Sequence, residues 1–115
     1  MITVETLKAY GANTEEGLAR CMNMEPFYLR IVGMVLEDAN FAKLKDAMAA
    51  RDGAAAFEAA HALKGLAGNT SLTPIFAPAS ALTERLRGRT HEPMDPECDR
   101  LAAEILAQYD RLEAL

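Results

Sequence analysis

The sequence is poor in the residues that build β-sheets and large aromatic cores. It has no tryptophan, aromatic residues make up only 6% of the chain, and β-branched residues are sparse. Strands draw on those residue types, whereas leucine and alanine favour helix, and alanine alone occurs 22 times in 115 residues. A chain of this length forms one domain with a modest core. We therefore expect a single small all-α domain over residues 1–115, without a deep pocket.

Three further absences exclude classes of function. No apolar run approaches the roughly 18 residues that span a bilayer, and the N-terminus lacks the basic and hydrophobic segments of a secretory signal. The formal net charge is −5, whereas proteins that bind nucleic acid or anionic membranes usually carry clustered positive charge. Cys21 and Cys98 form neither a CxxC pair nor a disulfide framework. We expect a cytoplasmic protein that binds neither nucleic acid nor membranes.

Capping residues and prolines divide the chain into helices. Asn13 is expected to cap a short helix that ends near Cys21, and Asn23 is expected to cap the next, with Pro26 in its first turn. Later boundaries predict four more helices: from Asp38 or Asn40 to Asp52, over 54–69, from a Thr73 cap to before Gly88, and from an Asp95 cap to the C-terminus. Short connections make neighbouring helices antiparallel. The pattern predicts an antiparallel four-helix bundle preceded by additional short N-terminal helices.

Hydrophobic residues at helical spacing mark the expected inner faces. They are Phe27, Ile31, Met34 and Val35, then Phe41, Leu44, Ala47 and Met48, and finally Leu101, Ile105, Tyr109 and Leu112. The methionines are expected to fill gaps in the core: Met22, Met24, Met34, Met48 and Met94. Pro78 predicts a loose or kinked start of its helix, because it lacks the backbone N–H that the helix needs there.

The predicted helix 54–69 has one face that does not look like core. At 100° per residue, one side gathers Ala56, Ala59, Ala60, Leu63, Ala67 and Thr70, which we predict to be buried. The opposite side carries Phe57, His61, Lys64, Gly65 and Gly68. Each helical glycine costs about 1 kcal/mol relative to alanine. Either the two glycines leave clearance for another surface to approach His61, or they allow close contact between helices.

His61 has three interpretations. It is a surface histidine without a role, or a metal ligand, or a nucleophile. The spacing of Glu58 and His61 matches carboxylate-bridged metal sites in helical bundles, but the sequence has no second copy of it and places Lys64 beside it. A neutral imidazole attacks phosphorus well, and a cation one turn away stabilises the transferred phosphoryl group. Phe57, in turn, belongs either to a contact surface for a protein or to the edge of the core.

The segment from Ala60 to Asn69, read as AHALKGLAGN, resembles the signature of histidine-containing phosphotransfer (HPt) domains. These helical bundles relay phosphoryl groups in two-component signalling. The flanking Asp52-Gly53 pair agrees, as does 82–86 in the following helix, and the order of helices is similar over residues 5–113. The resemblance departs from the family at Ser71, where a glycine is frequent, and at Pro78.

The resemblance implies a role for each matching residue. His61 would accept the phosphoryl group, Lys64 would stabilise it, and Gly65 would give the partner access. Gly68 would add clearance. Apart from the resemblance, the position of Phe57 on the same stripe suits a docking surface around His61. The chain would be a carrier and not a stand-alone enzyme. It would need no cofactor, because Mg²⁺ is expected on the partner.

The expected partner is the receiver domain of a response regulator, a sensor histidine kinase, or both, and the expected oligomeric state is a monomer. The alternative is a helical interaction or scaffold module that no longer transfers phosphate. The run Arg85, Arg87 and Arg89 suits the negative end of a helix dipole, or else an acidic face of a partner. Met1 and the absence of a linker composition favour a free-standing carrier over a piece of a hybrid kinase.

Overall fold

The computed structural model describes residues 1–115 and is all-α, as predicted, with seven helices and no strand. The helices are α1 (Val4–Tyr10), α2 (Thr14–Arg20), α3 (Glu25–Val35), α4 (Asn40–Ala49), α5 (Gly53–Asn69), α6 (Thr73–Leu86) and α7 (Pro96–Glu113). None of the seven helices has the length and hydrophobicity that a membrane span requires.

The last four helices form the bundle. α4 packs on α5, α5 on α6, α6 on α7, and α7 returns to α4, so the ring is closed. Each of these helices contributes an aliphatic side chain without any solvent exposure: Leu44, Leu63, Leu82 and Ile105. The three N-terminal helices add to this bundle, α1 by packing against α7 and α2 by joining α1 to α3. The predicted architecture is confirmed.

Several predicted helix boundaries are confirmed by their caps. Asn13 accepts from the backbone N–H of Glu16 at the start of α2, Asp52 accepts from that of Ala55 at the start of α5, and Asp95 caps α7. Such caps satisfy backbone donors that have no partner inside the helix.

Two capping predictions are wrong. Asn23 precedes α3 with a left-handed backbone (φ 58°), and Met24, whose side chain does not cap, is the N-cap residue. Thr73 is the first residue of α6 and not its cap. Pro78 is buried within α6, which is one helix from Thr73 to Leu86, and the kink expected there stays a prediction.

The inner face of α3 differs from the predicted one. Its buried residues are Tyr28, Val32 and Val35, whereas Phe27 and Met34 are exposed. The helix is apolar on both sides, so spacing alone cannot select the inner one. Tyr28 selects it, because its ring packs against Gly17 and its hydroxyl donates to the Thr70 backbone oxygen at 3.0 Å.

The methionines only partly fill the core. Met48 and Met94 are half-buried against it, as predicted. Met22, Met24 and Met34 are exposed, so for these three the prediction is wrong. The flexible, unbranched side chain of methionine is as suited to a surface as to a gap between helices, and composition cannot separate the two locations.

The helix α1 lies in a segment for which no boundaries were predicted. Thr3 and Thr6 exchange backbone-to-side-chain hydrogen bonds at its start, which is a capping box with threonine in the place of the usual glutamate or glutamine. Gly11 ends the helix in a left-handed conformation (φ 113°). These two signals were available in the sequence.

Candidate functional site

The two faces of α5 are those that the periodicity predicts. Every residue predicted to face the core is buried, with at most 2% of its surface exposed: Ala56, Ala59, Ala60, Leu63, Ala67 and Thr70. On the opposite side His61 and Gly65 are exposed, while Phe57, Lys64 and Gly68 are half-buried. The candidate residues therefore share one outer surface of the bundle, held by a helix whose other side is fully packed.

The imidazole of His61 is exposed and lies against an aromatic ring. It stacks on Phe57, with the ring centroids 5.9 Å apart and the planes 16° from parallel. None of the six ion pairs of the structure includes His61. The ring is thus supported from one side by an apolar contact, and no carboxylate partner competes for its nitrogen atoms.

Phe57 lies at the edge of the core, which is one of the two alternatives that the sequence left open. It packs against the hydrophobic core, and its outer side meets a cation, since the guanidinium carbon of Arg87 lies 5.4 Å from the ring centroid. A guanidinium within about 6 Å of an aromatic face is attracted by the ring quadrupole. Phe57 therefore connects His61 to a positive charge on the segment that follows α6.

Lys64 is joined to the same cation through a carboxylate. Its Nζ lies 3.6 Å from Oε1 of Glu84, and Glu84 also accepts two hydrogen bonds from Arg87, each 3.2 Å long. The Arg87 guanidinium, with Lys64 as the further cation, holds the pKa of the Glu84 carboxyl below its ordinary value. His61, Phe57, Arg87, Glu84 and Lys64 thus form one chain of contacts between α5 and the end of α6.

The two glycines of the stripe occupy different environments. A Cβ added at Gly65 would meet nothing within 4 Å, whereas one added at Gly68 would meet the Phe76 ring of α6 at 3.3 Å. Close helix contact therefore explains Gly68 but not Gly65. The space over Gly65 is open to whatever approaches His61.

An open depression surrounds His61 and includes residues that the sequence did not indicate. Lys64, Gly65, Gly68 and Asn69 line it from α5, Phe76 from α6 and Arg20 from α2. Nothing in the spacing along α5 could indicate Arg20, because it lies 41 positions before His61 in the sequence and reaches the site only through packing. Glu84 lies within the segment that carries the family resemblance, but its contact with Lys64 depends on the packing of α6 against α5.

The remaining predicted features lie elsewhere. Arg85 pairs with Asp95 through two hydrogen bonds of about 3 Å, whereas Arg87 pairs with Glu84, so the basic run is divided between different partners. No three histidine, cysteine or acidic side chains converge in an arrangement that could hold a metal ion. Cys21 and Cys98 are buried and free.

Ser71, which departs from the resemblance, lies just beyond the end of α5. Its backbone is left-handed (φ 58°), the region that a glycine adopts without strain. The side chain is buried and its hydroxyl donates to Oε1 of Glu16 at 3.0 Å. At this position the serine has a strained backbone, but its side chain forms a hydrogen bond to α2 that a glycine could not form.

Comparison with known proteins agrees with the geometry. The family model described as the Hpt domain matches residues 31–115, which is most of the chain and includes the whole four-helix bundle. The chain therefore belongs to the Hpt domain family, as its resemblance implied, and so to the phosphocarrier modules of phosphorelay signalling, which interact with receiver domains and kinases. No curated protein and no solved structure matches it significantly. The match begins within α3, so α1 and α2, including Arg20, lie outside it.

Proposed function

We propose that His61 accepts a phosphoryl group from the phospho-aspartate of a receiver domain or from a histidine kinase and passes it to another receiver domain. The observation that carries this proposal is the exposed imidazole beside the open space over Gly65. A Cβ placed at Gly65 would meet nothing within 4 Å, which leaves room beside the imidazole for another protein's active site.

The transfer needs only the nucleophile from this chain. The unprotonated nitrogen of His61 forms a bond to phosphorus while the bond from phosphorus to the aspartyl oxygen breaks, and the aspartate leaves as a carboxylate. The second ring nitrogen keeps its proton, so charge and atoms balance. The receiver contributes its own Mg²⁺ and acidic residues, and this domain acts as a carrier and not as an enzyme.

Lys64 is the residue that we assign to phosphoryl stabilisation. Its ammonium group lies one helical turn from His61 and is engaged with Glu84 at 3.6 Å, a loose pair. A phosphoryl group brings close to two negative charges and three strong acceptor oxygens. The ammonium can leave Glu84 for this stronger partner, while Arg87 continues to neutralise the Glu84 carboxylate.

Transfer from a labelled receiver tests the assignment of His61. The purified chain is incubated with receiver domains charged by a small phosphodonor, and the label should be stable in base and lost in acid. His61→Gln should take up no label, and His91→Gln, which changes the only other histidine, should behave as the wild type. Lys64→Ala should slow transfer by about two- to fivefold, as expected for an ion pair that is partly exposed to solvent.

Two outcomes would contradict the proposal. Equal labelling of His61→Gln and wild type would show that the acceptor is another residue. No labelling of the wild type by any of several receivers would instead favour the scaffold module without phosphotransfer. Unchanged transfer by Lys64→Ala would remove the role of Lys64 alone.

We also propose that the protein works as a monomer in the cytoplasm. One chain supplies every residue of the proposed site, so a second copy is not needed to complete it. Two free, buried thiols suit a reducing compartment. Sedimentation of the purified chain tests the first point, since a stable dimer would contradict it.

A further inference from the structure

Arg20 of α2 lies outside the residues matched by the family, yet it lines the depression around His61. The depression thus has two flexible cations on its border, Lys64 from α5 and Arg20 from α2. Each is engaged with a carboxylate: Lys64 with Glu84, and Arg20 with Glu16 through a 3.2 Å contact between Nη2 and Oε1.

The carboxylate that holds Arg20 is fixed by the end of the histidine helix. Oε1 of Glu16 accepts from the hydroxyl of Ser71 at 3.0 Å, and Oε2 accepts from the Asn13 side-chain amide at 3.4 Å. The backbone N–H of Asn13 in turn donates to the Ser71 backbone oxygen at 2.9 Å. Because Ser71 comes two residues after α5, this network ties the position of Arg20 to the helix that carries His61.

The strained backbone of Ser71 is a second, independent observation. A left-handed conformation costs a non-glycine residue about 1 kcal/mol or more, and Ser71 adopts one, with φ 58°. The Ser71 hydroxyl donates a hydrogen bond to Glu16, and Glu16 forms an ion pair with Arg20. Arg20 is the member of this network that lines the depression together with His61.

We propose that Arg20 is a second phosphoryl-binding residue. Its guanidinium breaks its pair with Glu16 and donates hydrogen bonds to the phosphoryl oxygens of phospho-His61. Glu16 and Ser71 are the residues that position Arg20. This inference rests on the proposed function of His61. The planar guanidinium can donate two parallel hydrogen bonds to phosphate oxygens. This interaction is stronger than its exposed ion pair with the Glu16 carboxylate. Only hydrogen bonds are exchanged in this step, and no covalent bond changes.

Phosphorylation of His61 by a small molecule tests the role of Arg20 without any docking of a receiver domain. The His91→Gln chain is loaded with phosphoramidate, a small donor that needs no receiver, and the pKa of the phosphoryl group is measured by ³¹P NMR. The positive charge of Arg20 should favour the dianionic form of the phosphoryl group, so Arg20→Gln should raise the pKa of that group. The acid dissociation constant should change two- to fivefold, which is about the effect of an exposed ion pair. A merely structural role would leave this constant unchanged.

Matched variants make the result specific. Arg30→Gln removes an exposed arginine of α3 and should leave the phosphoryl pKa at the wild-type value. Arg20→Lys keeps the charge and should restore most of the effect, which also answers the case in which Arg20→Gln folds poorly. Ser71→Ala should raise the pKa less than Arg20→Gln does, because it loosens Glu16 but keeps the guanidinium.

The possible failures are distinguishable. An identical phosphoryl pKa in Arg20→Gln, Arg30→Gln and the parent would overturn the role of Arg20 and leave the proposed function standing. A raised pKa in Arg20→Gln, together with no transfer from any receiver, would support Arg20 and contradict the relay. Failure of phosphoramidate to load His61 would overturn both, since both depend on an accessible imidazole.

Discussion

Gly65 and Gly68 illustrate how a single residue type serves two purposes on one helix. Gly68 allows the Phe76 ring of α6 to lie close to α5, whereas Gly65 faces open space. The sequence gives the same helical cost to both and cannot separate the two purposes. The structure separates them by what an added methyl group would contact.

Gly65→Ala should make the protein more stable and less active. With nothing within 4 Å of the new methyl group, the free energy of unfolding should rise by about 0.5–1 kcal/mol, the difference in helix propensity. The same methyl group would stand where a partner approaches His61, so the transfer rate from a receiver should fall several-fold. Urea unfolding and a transfer assay on the same sample measure both effects.

Gly33 provides the matched control for this substitution. It lies within α3, and an added Cβ there also meets nothing within 4 Å. Gly33→Ala should therefore gain the same stability while transfer is unchanged. If Gly65→Ala transferred as fast as Gly33→Ala, the space over Gly65 would have no role in docking.

At the scale of elements, the success of the sequence prediction depended on how one-sided each helix is. α5 is unambiguous because four buried alanines and Leu63 lie on one side and His61 and Lys64 on the other, so the period of 3.6 residues determined both faces. α3 carries Phe27 and Met34 on one side and Tyr28 and Val32 on the other. The orientation of α3 depends on the contacts of Tyr28 with Gly17 and Thr70. The spacing of residues within α3 does not indicate these contacts.

The candidate site divides in the same way. His61, Lys64 and Gly65 lie on one helix, and their spacing was sufficient to place them on one surface. Arg20 and Arg87 reach that surface from other segments, so their contribution follows from the packing of α2 and α6 against α5. Sequence reasoning recovers residues that share an element and misses those that the fold assembles.

The contact between α2 and α3 gives a prediction at the element scale. A Cβ at Gly17 would overlap the Tyr28 ring, which is fully packed and bonded to Thr70. Gly17→Ala should therefore lower the free energy of unfolding by about 1–3 kcal/mol, as expected for overpacking, despite the better helix propensity of alanine. Urea unfolding measures the change. A gain in stability like that expected for Gly33→Ala would show that the ring moves aside freely.

The whole molecule is closed by a contact between its first and last helices. Tyr10 of α1 is buried, and its hydroxyl donates to the Gln108 backbone oxygen of α7 at 3.1 Å. Burial is the main cause that raises the pKa of Tyr10 from 10.0 to about 12. The neutral phenol is thus the form that the folded bundle accommodates.

This contact predicts a loss of stability in alkali. Because the pKa of Tyr10 is higher in the folded chain, its contribution is complete below pH 10 and is lost as the pH rises from 10 to about 12. After allowance for solvent screening, the effect should be about 1–2 kcal/mol. Urea unfolding at pH 9 and pH 11.5 should show a larger loss for the wild type than for Tyr10→Phe. Equal losses would mean that Tyr10 is accessible to hydroxide in the folded state.

The alanine-lined inner face of α5 has a kinetic consequence. Alanine has no side-chain rotamers to order, so the helix that carries His61 packs in one way and offers a surface that is already formed. Rigid surfaces associate with little rearrangement, and the rate of their encounter is then set by diffusion and by the electric field. The net charge is −5, yet Lys64, Arg20 and Arg87 gather near the imidazole. Glu16 and Glu84 pair with these cations, so the preformed shape of the histidine face, more than a long-range field, sets how readily a partner docks.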